Sequence, residues 1–236
     1  MSQLRFNPDS VYWSDYPSWI RDLIPSHDLT VALFVVRDLD PVQALQLVGA
    51  GAHPIRPVQL PVDRPADPYS SRAHAAVGAD PQDYALLATR VGDWTVVLDT
   101  SGMTFGDEAI ALSRQGHEAA ACAVNLTLET HLTYAVSGDR RFSVADPVSV
   151  LKIEDLPQGL RSAAEASGAF ASEPERSVRG ATENFSLICA LAGLELTLED
   201  LRLLPLFRHQ AGRHQLKGFT GTKPREPFDG PWPCEG

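Results

Sequence analysis

The strongest strand signal in the chain is residues 29–36, LTVALFVV. A run that is apolar on both faces predicts a central strand covered on both sides. Asp40-Pro41 follows and predicts a helix start. Asp40 can accept from the free amides of the first turn, and Pro41 suits a position whose N–H would have no partner. Val42, Leu45 and Val48 then fall on one helical face, and Gly49 or Gly51 ends the helix. Asp80-Pro81 repeats the signal and predicts a helix from 81 to about 90, with Tyr84, Leu87 and Ala88 inward.

The stretch Gly92–Asp146 organises the rest. Trp94–Asp99 is dense in β-branched and aromatic residues and predicts a strand. Ser101-Gly102 predicts a turn, and Phe105–Arg114 a helix with Asp107 and Glu108 at its positive end. Gly116 stops that helix. Glu118–Val124 is a strand, and Thr130–Ser137 and Arg141–Ala145 are two more around a tight turn at Gly138-Asp139. Beyond Asp146-Pro147 lie a short helix at Leu160–Ser167 and a longer one from Glu175 or Ser177 through Ala192. Thr197 then opens a last helix as N-cap, with Asp200 placed for a capping-box pattern.

The elements add up to an α+β fold: a mostly antiparallel sheet of about five strands with helices packed on it, then a C-terminal helical segment and an extended tail. Residues 1–206 form a single domain, with an aromatic N-terminal arm at 1–27 and a loop at 52–80; residues 207–236 are the tail. The arm carries Tyr12, Trp13, Tyr16 and Trp19, with a short helix from Pro17 to Leu23. It reads either as a segment docked on the core or as a ligand platform. Docking is preferred, because large aromatics contribute mainly buried area.

Composition narrows the function classes. A chain of 236 residues is long enough to bury a sizeable core without disulfides or metals. The net charge of −10 argues against broad nucleic-acid binding and against an anionic membrane surface. No apolar run approaches a membrane span, and the N-terminus has no basic start followed by an apolar run. The three cysteines, Cys122, Cys189 and Cys234, match neither a disulfide framework nor a zinc spacing. Cys122 and Cys189 sit in apolar runs as buried thiols, which fits a reducing cytoplasm. No cofactor and no metal site is expected.

Four segments carry a resemblance. They are FVVRDLDPVQALQLVGA at 34–50, VGDWTVVLDTSG at 91–102, LSRQGHEAAACAVNLTLETHLTYAVSGD at 112–139 and ATENFSLICALAGLELTLEDL at 181–201. Their order and spacing resemble an uncharacterised actinobacterial family, a domain of unknown function (number 6461), over residues 10–206 or so. Members of that family commonly show Glu at the position of Asp99, and Asn-Gly where this chain has Thr100-Ser101-Gly102. The resemblance implies a fold and no activity.

Dinucleotide, P-loop, serine-hydrolase, zinc-protease and EF-hand motifs do not occur in the chain. The catalytic candidates are Asp99, Ser113, His117 and Asn125, at strand and helix ends where grafted sites sit. A hydrolytic reading pairs Ser113 with His117 and Asp99; a metal-assisted one uses His117 and His131 with Asp99. The plainer reading makes Asp99 and Asn125 loop partners and Ser113 a helix cap. The binding candidates are Trp13, Tyr16 and Trp19 on the arm and Arg208 and Arg213 in the tail. His209, His214 and Lys217 join those two arginines as a basic segment that reads either as a solvated tail, which is preferred, or as a contact for an anion or an acidic partner. The expectation is a cytoplasmic, non-enzymatic module that binds another protein, as immunity proteins, chaperones and adaptors do. The alternatives are a small-molecule hydrolase or metal-assisted enzyme around Asp99, His117 and Asn125, and a structural subunit of a homo-oligomer or larger assembly.

Overall fold

A computed structural model describes residues 17–24, 30–49, 54–66, 70–78, 84–100, 104, 107–124, 130–145, 153–167 and 181–211. Its centre is one antiparallel sheet in which β1 (Val31–Arg37) lies between β4 (Trp94–Asp99) and β5 (Glu118–Val124). The remaining strands are β2 (Arg56–Val58), β3 (Tyr84–Val91), β6 (Thr130–Val136), β7 (Asp139–Ala145) and β8 (Leu206–Ala211). The spatial order is β2-β8-β3-β4-β1-β5-β6-β7. The fold is therefore α+β, with eight strands where about five were expected.

Both faces of β1 are buried, and its alternation divides the interior in two. Val31, Leu33 and Val35 enter the larger core, whereas Ala32, Phe34 and Val36 enter the smaller. Helices α1 (Ser18–Leu23), α3 (Arg72–Val77), α5 (Gln158–Ser167), α6 (Ala181–Leu191) and α7 (Leu198–Leu203) gather on the larger-core side. Helices α2 (Pro41–Val48) and α4 (Glu108–Leu112) cover the smaller core. Beneath them β5 presents Ala119, Ala121 and Ala123, small side chains that let α4 approach closely.

Local signals set several of these elements. The Asp40 side chain accepts from Val42 N at 2.8 Å and Gln43 N at 3.2 Å, and so caps α2. Thr197 and Asp200 close a full capping box on α7. The β6–β7 hairpin turns through Ser137 and Gly138, both at positive φ, as a two-residue turn matched to strand twist requires. Helix α1 buries Trp19, Ile20 and Leu23. Its last carbonyls are held from outside the helix: Arg72 donates to Asp22 O and Arg64 to Ile24 O, each at 3.1 Å. Helix ends need such partners.

Three regions differ from expectation. Tyr84–Val91 is a strand, not the helix expected over 81–90. The spacing of Tyr84, Leu87 and Ala88 fits a helix, but the alternation of Leu86 and Ala88 with Leu87 and Thr89 fits a strand equally well. Pairing with β4 across a turn at Gly92-Asp93 decides it. Leu206–Ala211 is also a strand and runs past the expected boundary at 206, between β2 and β3. Its polar text, LFRHQA, hides that position, although His209 is fully buried. Within the expected loop at 52–80 lie β2 and α3, the latter capped by Ser71, whose Oγ accepts from His74 N at 3.0 Å. No helix among the described residues is long and apolar enough to cross a membrane.

Candidate functional site

Residues directly opposite each other on antiparallel strands share a face, so the register places side chains. Asp99 ends β4 opposite Ala32 of β1 and Leu86 of β3, on the smaller-core face. It is fully buried. Its Oδ2 accepts from Thr104 N at 3.1 Å and from Thr104 Oγ1 at 2.8 Å, which ties down the chain leaving the strand. The same rung runs from Ala32 to Ala123 and on to His131, and from Leu86 to His209. Neighbouring strands lie roughly 4.8 Å apart, so three strand spacings, roughly 14 Å, separate the backbones of Asp99 and His131.

His117 belongs to the other end of the sheet. Its Nδ1 hydrogen-bonds Arg37 O at 2.9 Å. Arg37 and Ala32 stand at opposite ends of β1, roughly 17 Å apart at about 3.4 Å per residue. Asp99 and His117 therefore do not meet. Ser113 donates its Oγ–H to Ile110 O at 3.0 Å and accepts from Gly138 N at 3.0 Å. It closes α4 and fastens the helix to the β6–β7 turn. No group of three or more His, Cys, Asp or Glu among the described residues is placed to hold a metal. Asn125, Trp13, Tyr16 and Arg213 lie outside the described residues. Trp19 is 2% exposed and packs in the larger core, so it offers no outward contact.

Both described cysteines are free and buried. Burial pushes the Cys122 thiol well up, and the Cys189 thiol up to about 12. A protonated, enclosed thiol is a poor nucleophile and a poor metal ligand.

Two clusters escaped the sequence. The first lies on the larger-core face at the Arg37 end. The Arg37 guanidinium stands 5.9 Å over the Trp94 ring and 3.6 Å from Glu118 Oε2. Tyr134 donates its hydroxyl to Glu118 Oε1 at 2.7 Å. Burial raises the Tyr134 pKa first, and its hydrogen bond to Glu118 raises it further. Gly159 of α5 closes the cluster: a Cβ there would lie 2.7 Å from Tyr134 Oη and 3.2 Å from Glu118 Oε1.

The second cluster is a cleft of about 580 Å³ between β2 and the segment from Arg202 to Leu206. Val58 and Leu206, directly opposite each other, form its strand floor. Arg202 braces one wall by donating to Pro61 O at 2.9 Å. Leu203 on the rim is 78% exposed, and Val62, next to Pro61, is 71% exposed. The next rung on the floor's face is Arg56 opposite Arg208. This places Arg208, a binding candidate from sequence, beside an apolar cleft. The signal for Arg56 is its pairing partner, which appears only once β8 is seen to be a strand.

Comparison of the chain with family models, with curated proteins and with solved structures finds no match.

Proposed function

We propose that the protein is a non-enzymatic module of the cytoplasm that binds another protein, in the manner of an immunity protein, chaperone or adaptor. One observation carries this reading: the cleft beside β2 is open, has an apolar floor in Val58 and Leu206, and is lined by Leu203, which is strongly exposed. An exposed aliphatic beside an apolar cleft suits an interaction surface. The polar candidates lend support by what they do instead. Ser113 and Asp99 are each occupied in tying a helix end or a loop, and His117 holds a strand-end carbonyl at the far end of β1. The free, buried thiols suit a reducing compartment.

The test is affinity capture of the tagged wild type alongside Leu203→Ser and Val62→Ser, with each variant's melting temperature measured. The expected result is one stoichiometric protein partner for the wild type and its loss in folded Leu203→Ser. A partner retained in both variants, or none in the wild type, overturns the reading.

A further inference from the structure

We propose that the cleft beside β2 takes an extended acidic segment of the partner protein, with Arg56 and Arg208 gripping a carboxylate and the Val58–Leu206 floor taking an apolar side chain. This rests on the protein-binding reading and names the chemistry of what is bound.

Arg56 and Arg208 are directly opposite on β2 and β8, so their side chains leave the same face of neighbouring strands. Like charges so placed repel and destabilise a sheet. Neither guanidinium has a carboxylate or hydrogen-bond partner among the described residues. Arg37, Arg72, Arg90, Arg140, Arg141 and Arg202 each have a carboxylate within 4.0 Å. The chain carries 30 acidic side chains against 20 basic ones, so carboxylates are not scarce. A facing arginine pair with no carboxylate partner among the described residues, in an acidic protein, is complementary to an anion from outside. Two guanidiniums suit a carboxylate, which can accept two parallel bonds from one fork and a further bond from the other.

The floor sets the rest of the ligand. The Val58–Leu206 pair and the Arg56–Arg208 pair are two residues apart on each strand, so they share a face roughly 6.8 Å apart. An extended peptide repeats its same-side side chains at that spacing. A segment with an apolar residue and, two positions on, Glu or Asp would fill both rungs. Leu203 then shelters the apolar side chain. Pro57, between the two rungs, has no N–H to give. Simple strand addition at this edge is interrupted there, which leaves recognition to the side chains.

The test uses the full chain and a panel of fluorescein-labelled peptides built on Gly-Leu-Gly-Glu-Gly, with Glu replaced by Gln or Lys and Leu by Ser. Anisotropy should show the Leu/Glu peptide binding about tenfold tighter than its Gln counterpart, a preference that salt erases. Arg56→Gln and Arg208→Gln, folded by melting temperature, should each remove the preference for Glu. Leu203→Ser should weaken the Glu and Gln peptides alike. Equal binding of Glu and Gln peptides by the wild type, binding of none of the panel, or a preference unchanged in both arginine variants overturns the proposal. So does displacement by inorganic phosphate at the peptide's own concentration, which would assign the arginines to a free anion. A dimer that dissociates on Arg208→Gln would put a second copy in the cleft and also overturn it. A captured partner lost in Leu203→Ser but kept in both arginine variants would end this proposal and leave the protein-binding reading standing.

Discussion

The two ends of β1 solve the same problem with opposite chemistry. At the Ala32 end the neighbouring polar group is Asp99, fully buried and engaged with Thr104 of its own loop. At the Arg37 end the polar groups are Arg37, half exposed, Glu118 and Tyr134, joined across three strands and capped by Trp94 and Gly159. One end spends a buried carboxylate on a local loop. The other spreads charge over non-local partners near water. The difference teaches that an acidic residue at a strand end is no guide to chemistry until its partners are known.

The largest effect should come from the buried end. Asp99→Ala leaves the Thr104 N–H and hydroxyl without their acceptor, at a cost of about 3 kcal/mol to stability. Asp99→Asn keeps one acceptor and should cost less. Urea unfolding measures both. A loss under 1 kcal/mol (roughly the net value of one ordinary hydrogen bond) in the alanine variant would mean that the carboxylate is not a structural tie.

Next is Gly159→Ala, which ordinarily helps a helix by about 1 kcal/mol. Here the new methyl meets Tyr134 Oη at 2.7 Å, so α5 or Tyr134 must shift. The expected net result is a destabilisation of about 1–2 kcal/mol, in the range for overpacking. In a Tyr134→Phe background the closest contact is gone and Glu118 Oε1 at 3.2 Å remains, so the penalty should shrink. A gain in stability from Gly159→Ala alone would show that the two elements are not in close contact.

Tyr134→Phe by itself should cost about 1 kcal/mol at neutral pH, since it removes a hydroxyl from a half-buried bond to Glu118. Its sharper signature is alkaline. The folded pKa of Tyr134 is raised above its usual value of 10.0, so the folded state holds the proton more firmly than the unfolded state does. That contribution is complete below pH 10 and falls as pH rises through the folded pKa. Cys122 and Cys189, also raised, act in the same direction from about pH 9. Tyr134→Phe should therefore flatten the loss of stability above pH 10 and leave the thiol part in place. Melting curves from neutral pH upward in both proteins measure it, and identical slopes would contradict the assignment.

What the sequence disclosed was local. The Asp40-Pro41 start, the Thr197–Asp200 box and the doubly apolar β1 depend on residues within a turn or a strand of one another, and all three stand in the structure. Two of the strands that escaped, β3 and β8, depend on neighbours from elsewhere. The apolar text of Tyr84–Val91 suits two periodicities, and Leu206–Ala211 has too few aliphatics to announce a strand. The site candidates divide likewise. Arg208 could be named from composition, but Arg56 could not, because nothing in the chain marks it as the residue opposite. Asp99 and His117, close in sequence, look like partners until β1 is laid between them.

The smallest effect is expected at Arg37. Its side chain is 51% exposed, 3.6 Å from Glu118 and over the Trp94 ring. An exposed ion pair contributes between about 0 and 1 kcal/mol, and a cation–π contact at an exposed site about as much. Arg37→Gln should thus cost under roughly 1 kcal/mol, and less in high salt. The carbonyl that His117 holds belongs to the backbone of Arg37 and survives the substitution. If Arg37→Gln instead cost as much as Asp99→Ala, either the Glu118 carboxylate is left stranded beside Tyr134 or the arginine stem packs on Trp94. The double variant Arg37→Gln with Glu118→Gln separates the cases: recovery of the lost stability points to a stranded charge, and a further loss points to packing of the arginine stem on Trp94.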